Sequence, residues 1–140
     1  MTTIIWDGKT LATDSRESLD DGFFHDRCDK IFKVGSSYIA TAGSSSDGLL
    51  FVQWCKDRTK PKPAIGKNFE AVEIMKDGSI YLYDKNCIGI KWTGNYFALG
   101  SGGNFALGAV LAGKTAKEAV EIAKKLDINS GGKIKTVKIK

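Results

Sequence analysis

An α+β layered sandwich is the fold that this sequence predicts, in preference to a parallel α/β sheet. Strand-type segments come in runs separated by tight-turn signals, and helical segments fall between or after those runs. The order is a β-rich start, one helix, a β-meander, two helices and a last strand. Length agrees with it. A chain of 140 residues, 42% apolar and 26% charged, is expected to form a single domain over residues 1–140 that buries roughly two thirds of its unfolded surface.

The first element is a hairpin. Thr3-Ile4-Ile5-Trp6 is β-prone, Asp7-Gly8 is a two-residue turn signal, and Lys9–Thr13 returns. A loop of those two residues sets Trp6 opposite Lys9, Ile4 opposite Leu11 and Thr2 opposite Thr13. The start of the chain then lies beside Asp14. After a polar stretch over Ser15–Asp29, Lys30–Lys33 and Tyr38–Ala42 read as strands about a Gly35-Ser36-Ser37 turn.

Ala42–Asp47 is a loop of small residues, and Asp47 is expected to cap a helix over Gly48–Asp57. Leu49, Val52 and Cys55 recur there at helical spacing. Thr59–Asn68 holds both prolines and reads as a connection. Phe69–Met75 and Ile80–Tyr83 then flank a second Asp-Gly turn, and Cys87–Trp92 and Tyr96–Leu99 flank Thr93-Gly94-Asn95. Gly100–Gly103 leads into a helix over Asn104–Ala112, which Gly113 stops. Thr115-x-x-Glu118 is a capping-box signature for a second helix reaching Leu126. Asp127–Gly132 is a loop, and Ile134–Ile139 is the last strand.

Composition narrows the function classes. The longest apolar candidate for a membrane span is Leu49–Val52, far below the ~20 residues needed, so no membrane association is expected. Met1–Asp7 has no basic region followed by an apolar stretch, so no secretory leader is expected. Cys28, Cys55 and Cys87 are odd in number and widely spaced, which points to a reducing compartment and a cytoplasmic location. With His25 as the single histidine, a metal site would be hard to assemble, and neither metal nor cofactor is expected. The net charge of +5 gathers on Lys56–Lys67 and on the tail from Lys133. In the tail, lysines alternate with Ile134, Val137 and Ile139, which is an edge-strand pattern. No stacking aromatics are interleaved with them, so nucleic acid is not an expected partner.

Several local motifs admit an ordinary structural reading. Gly108–Thr115 fits G-x-x-x-x-G-K-T, yet its variable positions are Ala, Val, Leu and Ala, which pack as a helix face. Gly113 is better read as a helix stop and Thr115 as the next cap. Gly100–Gly103 before a helix can bind an anion, or simply connect strand to helix. His25 reads as a surface or loop residue, and Tyr81, Tyr83 and Trp92 as meander core.

The start of the chain holds more chemistry. Thr2 follows the initiator methionine, and a small second residue permits methionine removal. That removal leaves a threonine with its α-amino group beside its own hydroxyl. Such an amine has an ordinary pKa of about 7.7–8.0 and can act as general base near neutral pH. Threonine activated by its own amine is an established nucleophile arrangement.

Six motifs in order then resemble proteasome β-subunits and the bacterial protease HslV. They are Thr2-Thr3-Ile4, Ala12-Thr13-Asp14-Ser15-Arg16, Asp29-Lys30-Ile31, Ala42–Asp47, Leu99–Gly103 and Asp127–Gly132. The resemblance spans residues 2–132 and identifies the chain as a shortened relative. It implies the four-layer αββα sandwich of N-terminal-nucleophile hydrolases, with one helical layer reduced, because one helix fits before Thr59 where the family has two.

The resemblance also implies roles. Thr2 would be the nucleophile and its freed amine the base. Lys30 would place a positive charge near the Thr2 hydroxyl, and Asp14 would pair with and orient Lys30. Lys33 is the rival for Lys30, and the Asp-Lys-Ile context favours Lys30. Gly43 would offer its amide to the oxyanion. Ser101, Asp127 and Ser130 would hydrogen-bond around the Thr2 amine. The implied activity is a threonine-type endopeptidase on peptide or unfolded protein, in a homo-oligomer, with an ATPase unfoldase as partner. The alternative is a non-catalytic assembly or binding module in which Met1 is retained and the Thr2 amine stays in a peptide bond.

Overall fold

Asp7 decides how the chain first turns. Its Oδ1 accepts from the amides of Lys9 (2.9 Å) and Thr10 (2.8 Å), and its own amide donates to the Thr10 carbonyl at 3.3 Å. Gly8 has φ of +95°, so the two-residue loop is Gly8-Lys9, with glycine where a positive φ is needed. This corrects the expected Asp7-Gly8 loop. Strands β1 (Ile4–Trp6) and β2 (Thr10–Thr13) pair Ile4 with Thr13, Ile5 with Ala12 and Trp6 with Leu11. The register moves by two residues, an even number, so every side chain keeps the face it was expected to have.

The computed structural model describes residues 2–18 and 22–140. They fall into two compact units, one running up to Lys30 and resuming over Gly94–Lys140, the other being Ile31–Thr93. The first contains β1, β2, a two-residue ribbon of β3 (Glu17–Ser18) and β4 (Phe24–His25), β10 (Phe97–Leu99), α2 (Gly103–Leu111), α3 (Ala116–Leu126) and β11 (Lys135–Lys138). The ribbon lies in the polar stretch over Ser15–Asp29, for which no element was expected. His25 is exposed there, its Nε2 2.8 Å from Glu17 Oε1.

The main sheet of this unit is antiparallel in the order β10-β1-β2-β11. Lysine-rich β11 is an edge, where charged side chains discourage further pairing. Ile5 and Ala12 project from one face against Ala106, Ala109 and Val110 of α2 and Ala119, Val120 and Ala123 of α3. The alanines let both helices approach the strands closely. Burying Ile5 or Val120 contributes about 1.5–3 kcal/mol each.

The ends of the two helices explain the G-K-T run. The Lys114 amide donates to the Ala109 carbonyl and the Gly113 amide to that of Val110, with Gly113 at φ +99°. That is the Schellman ending of α2. Thr115 then caps α3 with a complete capping box to Glu118. The α3 Ala116 amide also donates to Asp7 Oδ2 at 3.1 Å, so one aspartate serves both the hairpin and the helix start.

The second unit is a five-stranded antiparallel sheet in sequence order. Its strands are β5 (Ile31–Val34), β6 (Ser37–Ala42), β7 (Glu70–Ile74), β8 (Ile80–Tyr83) and β9 (Ile90–Trp92), with α1 (Ser45–Lys56) between β6 and β7. The helix starts three residues before the expected position. Ser44, not Asp47, is its cap, accepting from the Asp47 amide at 3.1 Å. Serine at this point leaves the Asp47 carboxylate to accept from the Gly66 amide at 3.2 Å. The buried stripe is therefore Gly48, Phe51, Val52 and Cys55, while Leu49 is exposed.

Phe51 is central to this core, its ring 5.2 Å from that of Phe69 and 5.0 Å from that of Tyr83. Tyr83 is buried as expected, whereas Trp92 is 40% exposed on the edge strand. Buried Glu73 accepts from Ser37, Arg58 and Tyr83, so its charge is both paired and hydrogen-bonded. Among the described residues no helix is long and apolar enough to cross a membrane.

Candidate active site

Asp14 lies just past the end of β2, on the side where β1 begins. Its side chain is fully buried, a costly place for a carboxylate unless every lone pair is met. Five donors meet it. Oδ1 accepts from the Thr2 hydroxyl (2.8 Å), the Thr3 amide (3.0 Å) and Lys30 Nζ (2.7 Å). Oδ2 accepts from the amides of Arg16 (3.2 Å) and Gly131 (3.0 Å).

Lys30 is 6% exposed. Burial pushes its ammonium below the ordinary lysine value, and the adjacent Asp14 charge opposes that shift. Thr2, also buried, and Lys30 thus meet on a single carboxylate oxygen. Lys33, the rival lysine, is exposed on β5 in the other unit, its Nζ 5.7 Å from the centre of the Tyr38 ring.

A second cluster forms around Asp127, the residue that ends α3. Its Oδ2 accepts from Ser101 Oγ at 2.6 Å and Ser130 Oγ at 2.7 Å, and its Oδ1 from the Asn129 amide at 3.1 Å. Burial opposes its ionisation, and the hydrogen bonds from Ser101, Ser130 and Asn129 outweigh that effect and hold the carboxyl below its ordinary value. Ser101, Asp127 and Ser130 are therefore brought together. Beyond their own contacts, Ser130 Oγ is 2.7 Å from the hydroxyl of Thr3.

The two clusters share a backbone frame. The Gly102 amide donates to the Thr2 carbonyl at 3.1 Å. A Cβ on Gly100 would overlap that carbonyl, and one on Gly102 would overlap Thr3 Oγ1. The Gly100–Gly102 turn thus presses against the Thr2-Thr3 backbone at a distance that only glycine permits. Gly43, the remaining expected site residue, belongs to the Ile31–Thr93 unit. It sits between β6 and the Ser44 cap at φ +121°. Met1 lies outside the described residues.

Two contributing residues, Thr3 and Arg16, have no role assigned from the sequence. Thr3 bonds to both clusters. Arg16 makes a two-pronged pair with Asp26 (2.8 and 3.1 Å), donates to the Ile128 carbonyl (3.0 Å) and lies 3.9 Å from the centre of the Phe24 ring. A Cβ on Gly131 would overlap its guanidinium. Arg16 so props the loop whose Gly131 amide reaches Asp14. The motif around Asp14 contains Arg16, but its partners are ten and more than a hundred residues away, and nothing local announces them.

No family model matches the sequence, and no curated protein matches it either. Solved structures do match the fold. BPH from Thiobacillus denitrificans in complex with epoxomicin superposes with a TM-score of 0.69 at 18% identity, over 99% of this chain and 98% of that one. Eukaryotic HslV from Trypanosoma brucei gives 0.68 at 18% identity, over 98% of both chains. The chain therefore has the mixed α+β fold of HslV, the N-terminal-nucleophile-hydrolase fold expected from the sequence.

Proposed function

We propose that the protein is a threonine-type endopeptidase whose nucleophile is Thr2, exposed as the first residue once Met1 is removed. The observation that carries the reading is the convergence of the Thr2 hydroxyl and Lys30 Nζ on one oxygen of buried Asp14. In this reading the freed α-amine takes the hydroxyl proton while Oγ1 attacks the carbonyl carbon of the scissile bond. The amine then passes that proton to the departing amine, leaving an acyl ester on Thr2. Water, deprotonated by the same amine, hydrolyses the ester and restores Thr2.

Lys30 keeps a positive charge beside the oxygen that turns alkoxide-like, and Asp14 fixes both groups. The Asp127 carboxylate, with Ser101 and Ser130, supplies negative charge and hydrogen-bonding capacity toward the amine. The Gly43 amide is the proposed oxyanion donor, a role whose loss typically costs roughly 100- to 1,000-fold in rate. Its positive φ and its place in a loop before a helix suit it to close backbone approach. We further read the chain as a shortened member of the proteasome and HslV group, on the single helix of the Ile31–Thr93 unit. In this reading it is one domain over residues 1–140, cytoplasmic and homo-oligomeric, acting on peptides or unfolded protein with an ATPase unfoldase as partner.

Intact-mass measurement of the protein from its native host, followed by a peptide-substrate panel on wild type and Thr2→Ala, tests the reading. Loss of one methionine and hydrolysis abolished by Thr2→Ala are expected. Retention of Met1 would turn the reading to a non-catalytic assembly or binding module, and hydrolysis that survives Thr2→Ala would remove Thr2 from the chemistry. Epoxomicin, bound in the Thiobacillus denitrificans BPH structure, is an independent probe, with attachment at Thr2 expected.

A further inference from the structure

We propose that Thr3 is a positioning residue for Thr2, its hydroxyl locking the nucleophile's backbone to the Asp127 cluster while its amide locks it to Asp14. The proposal rests on the peptidase reading for its kinetic consequence and on geometry alone for the lock itself. Thr3 is fully buried. Its amide donates to Asp14 Oδ1 at 3.0 Å, its carbonyl accepts from the Asp14 amide at 3.3 Å, and its Oγ1 lies 2.7 Å from Ser130 Oγ.

The direction of that last bond follows from proton counting. Ser130 has one hydroxyl proton, and it goes to Asp127 Oδ2, an ionised carboxylate that can only accept. Ser130 must therefore accept from Thr3. The chain of donors runs one way, from Thr3 to Ser130 to Asp127, and Ser101 joins at the same oxygen. Among the described residues, Thr3 is thus the one whose backbone bonds to one carboxylate and whose side chain feeds the other.

The fit around this hydroxyl is specific. A Cβ on Gly102 would overlap Thr3 Oγ1, and the Gly102 amide holds the Thr2 carbonyl. The peptide group between Thr2 and Thr3 is therefore gripped on its oxygen by Gly102 and on its nitrogen by Asp14, with the Thr3 hydroxyl setting the position of the Ser130 side of the frame. Thr3→Val keeps the volume and both backbone bonds of Thr3 but leaves the buried Ser130 oxygen without its donor. Thr3→Ser keeps the donor.

The test compares these two variants with wild type and Thr2→Ala, all with Met1 removed, by steady-state kinetics and by amide hydrogen exchange. For Thr3→Val, kcat is expected to fall roughly 10- to 100-fold with KM within about twofold, the pattern of a nucleophile displaced without loss of substrate binding. Thr3→Ser is expected to recover kcat to within about threefold of wild type. The Gly102 and Gly131 amides are expected to exchange faster in Thr3→Val and at wild-type rates in Thr3→Ser. Unchanged kcat with unchanged exchange in Thr3→Val overturns the proposal, as does a serine variant as impaired as the valine one. A wild-type protein without Thr2-dependent hydrolysis would sink the peptidase reading instead, and the exchange rates would still decide the lock.

Discussion

At the scale of single residues, Asp14 and Lys30 are each tolerable only because of the other. A buried ion pair contributes little net stability, because desolvation of both charges offsets their attraction, but a buried charge left alone is costly. Lys30→Met is therefore expected to destabilise the fold by about 3–5 kcal/mol, since the buried Asp14 side chain loses its counterion. Asp14→Asn also places amide protons where a carboxylate now faces donors. In the double variant Asp14→Asn, Lys30→Met the loss is expected to be smaller than the sum of the two, because one charge no longer strands the other. Urea unfolding of the four proteins measures this, and strictly additive losses would show that the pair is not coupled. On the proposed peptidase reading, hydrolysis is expected to be lost in all three variants. The same residues mark how far the sequence could be read. Asp14 and Lys30 were legible because the hairpin brings the chain's start to Asp14 and because the motif around each matches a known pattern. Thr3 and Arg16 were not, since Ser130 and Ile128 are more than a hundred residues away along the chain and no local rule brings them near.

At the scale of elements, the Asp-Gly signal announced a hairpin correctly but misplaced its turn. The cause is the Asp7 side chain, which accepts from two amides ahead of it and so stands at the first corner of the turn, leaving Gly8 and Lys9 in the middle. The same contest between aspartate and a neighbour misplaced the start of α1, where Ser44 takes the cap and Asp47 turns to Gly66. By contrast, Thr115-x-x-Glu118 was read without error, because both halves of a capping box lie within four residues. Asp7 joins two elements, and Asp7→Ala is expected to show it. Removing one ordinary cap costs about 0.5–2 kcal/mol, as expected for Thr115→Ala. Asp7→Ala loses acceptors for three amides, those of Lys9, Thr10 and Ala116, and should cost more than Thr115→Ala in the same thermal or urea assay. Gly102→Ala makes a separate demand on its element. Its methyl would overlap Thr3 Oγ1 and crowd Ser130 and Asp127, so on the proposed peptidase reading hydrolysis is expected to vanish even where the folded protein can still be isolated.

For the molecule as a whole, the titrating groups set opposite limits on stability at the two ends of the pH range. Asp127 is held below its ordinary value of 3.8 by hydrogen bonds that outweigh burial. A group of this kind adds stability that is fully present above the unfolded-state value and is lost as pH falls through the lower, folded one. Thermal unfolding temperature should therefore drop on acidification below about pH 4, the unfolded aspartate range, with part of that drop absent in Asp127→Asn. The alkaline limit comes from the Ile31–Thr93 unit. Burial pushes the Cys55 thiol up from 9.0 to about 11, and burial together with the Glu73 carboxylate pushes Tyr83 up from 10.0 to about 12. Both are neutral in the folded chain at pH values where the unfolded chain has begun to release their protons, so the unfolded state binds fewer protons and stability falls as pH rises past 9. Cys55→Ala, which removes one of these groups along with some packing, is expected to have a lower unfolding temperature at neutral pH but a shallower fall between pH 9 and pH 11. A slope identical to that of wild type across that interval would mean that the Cys55 thiol does not set the alkaline limit.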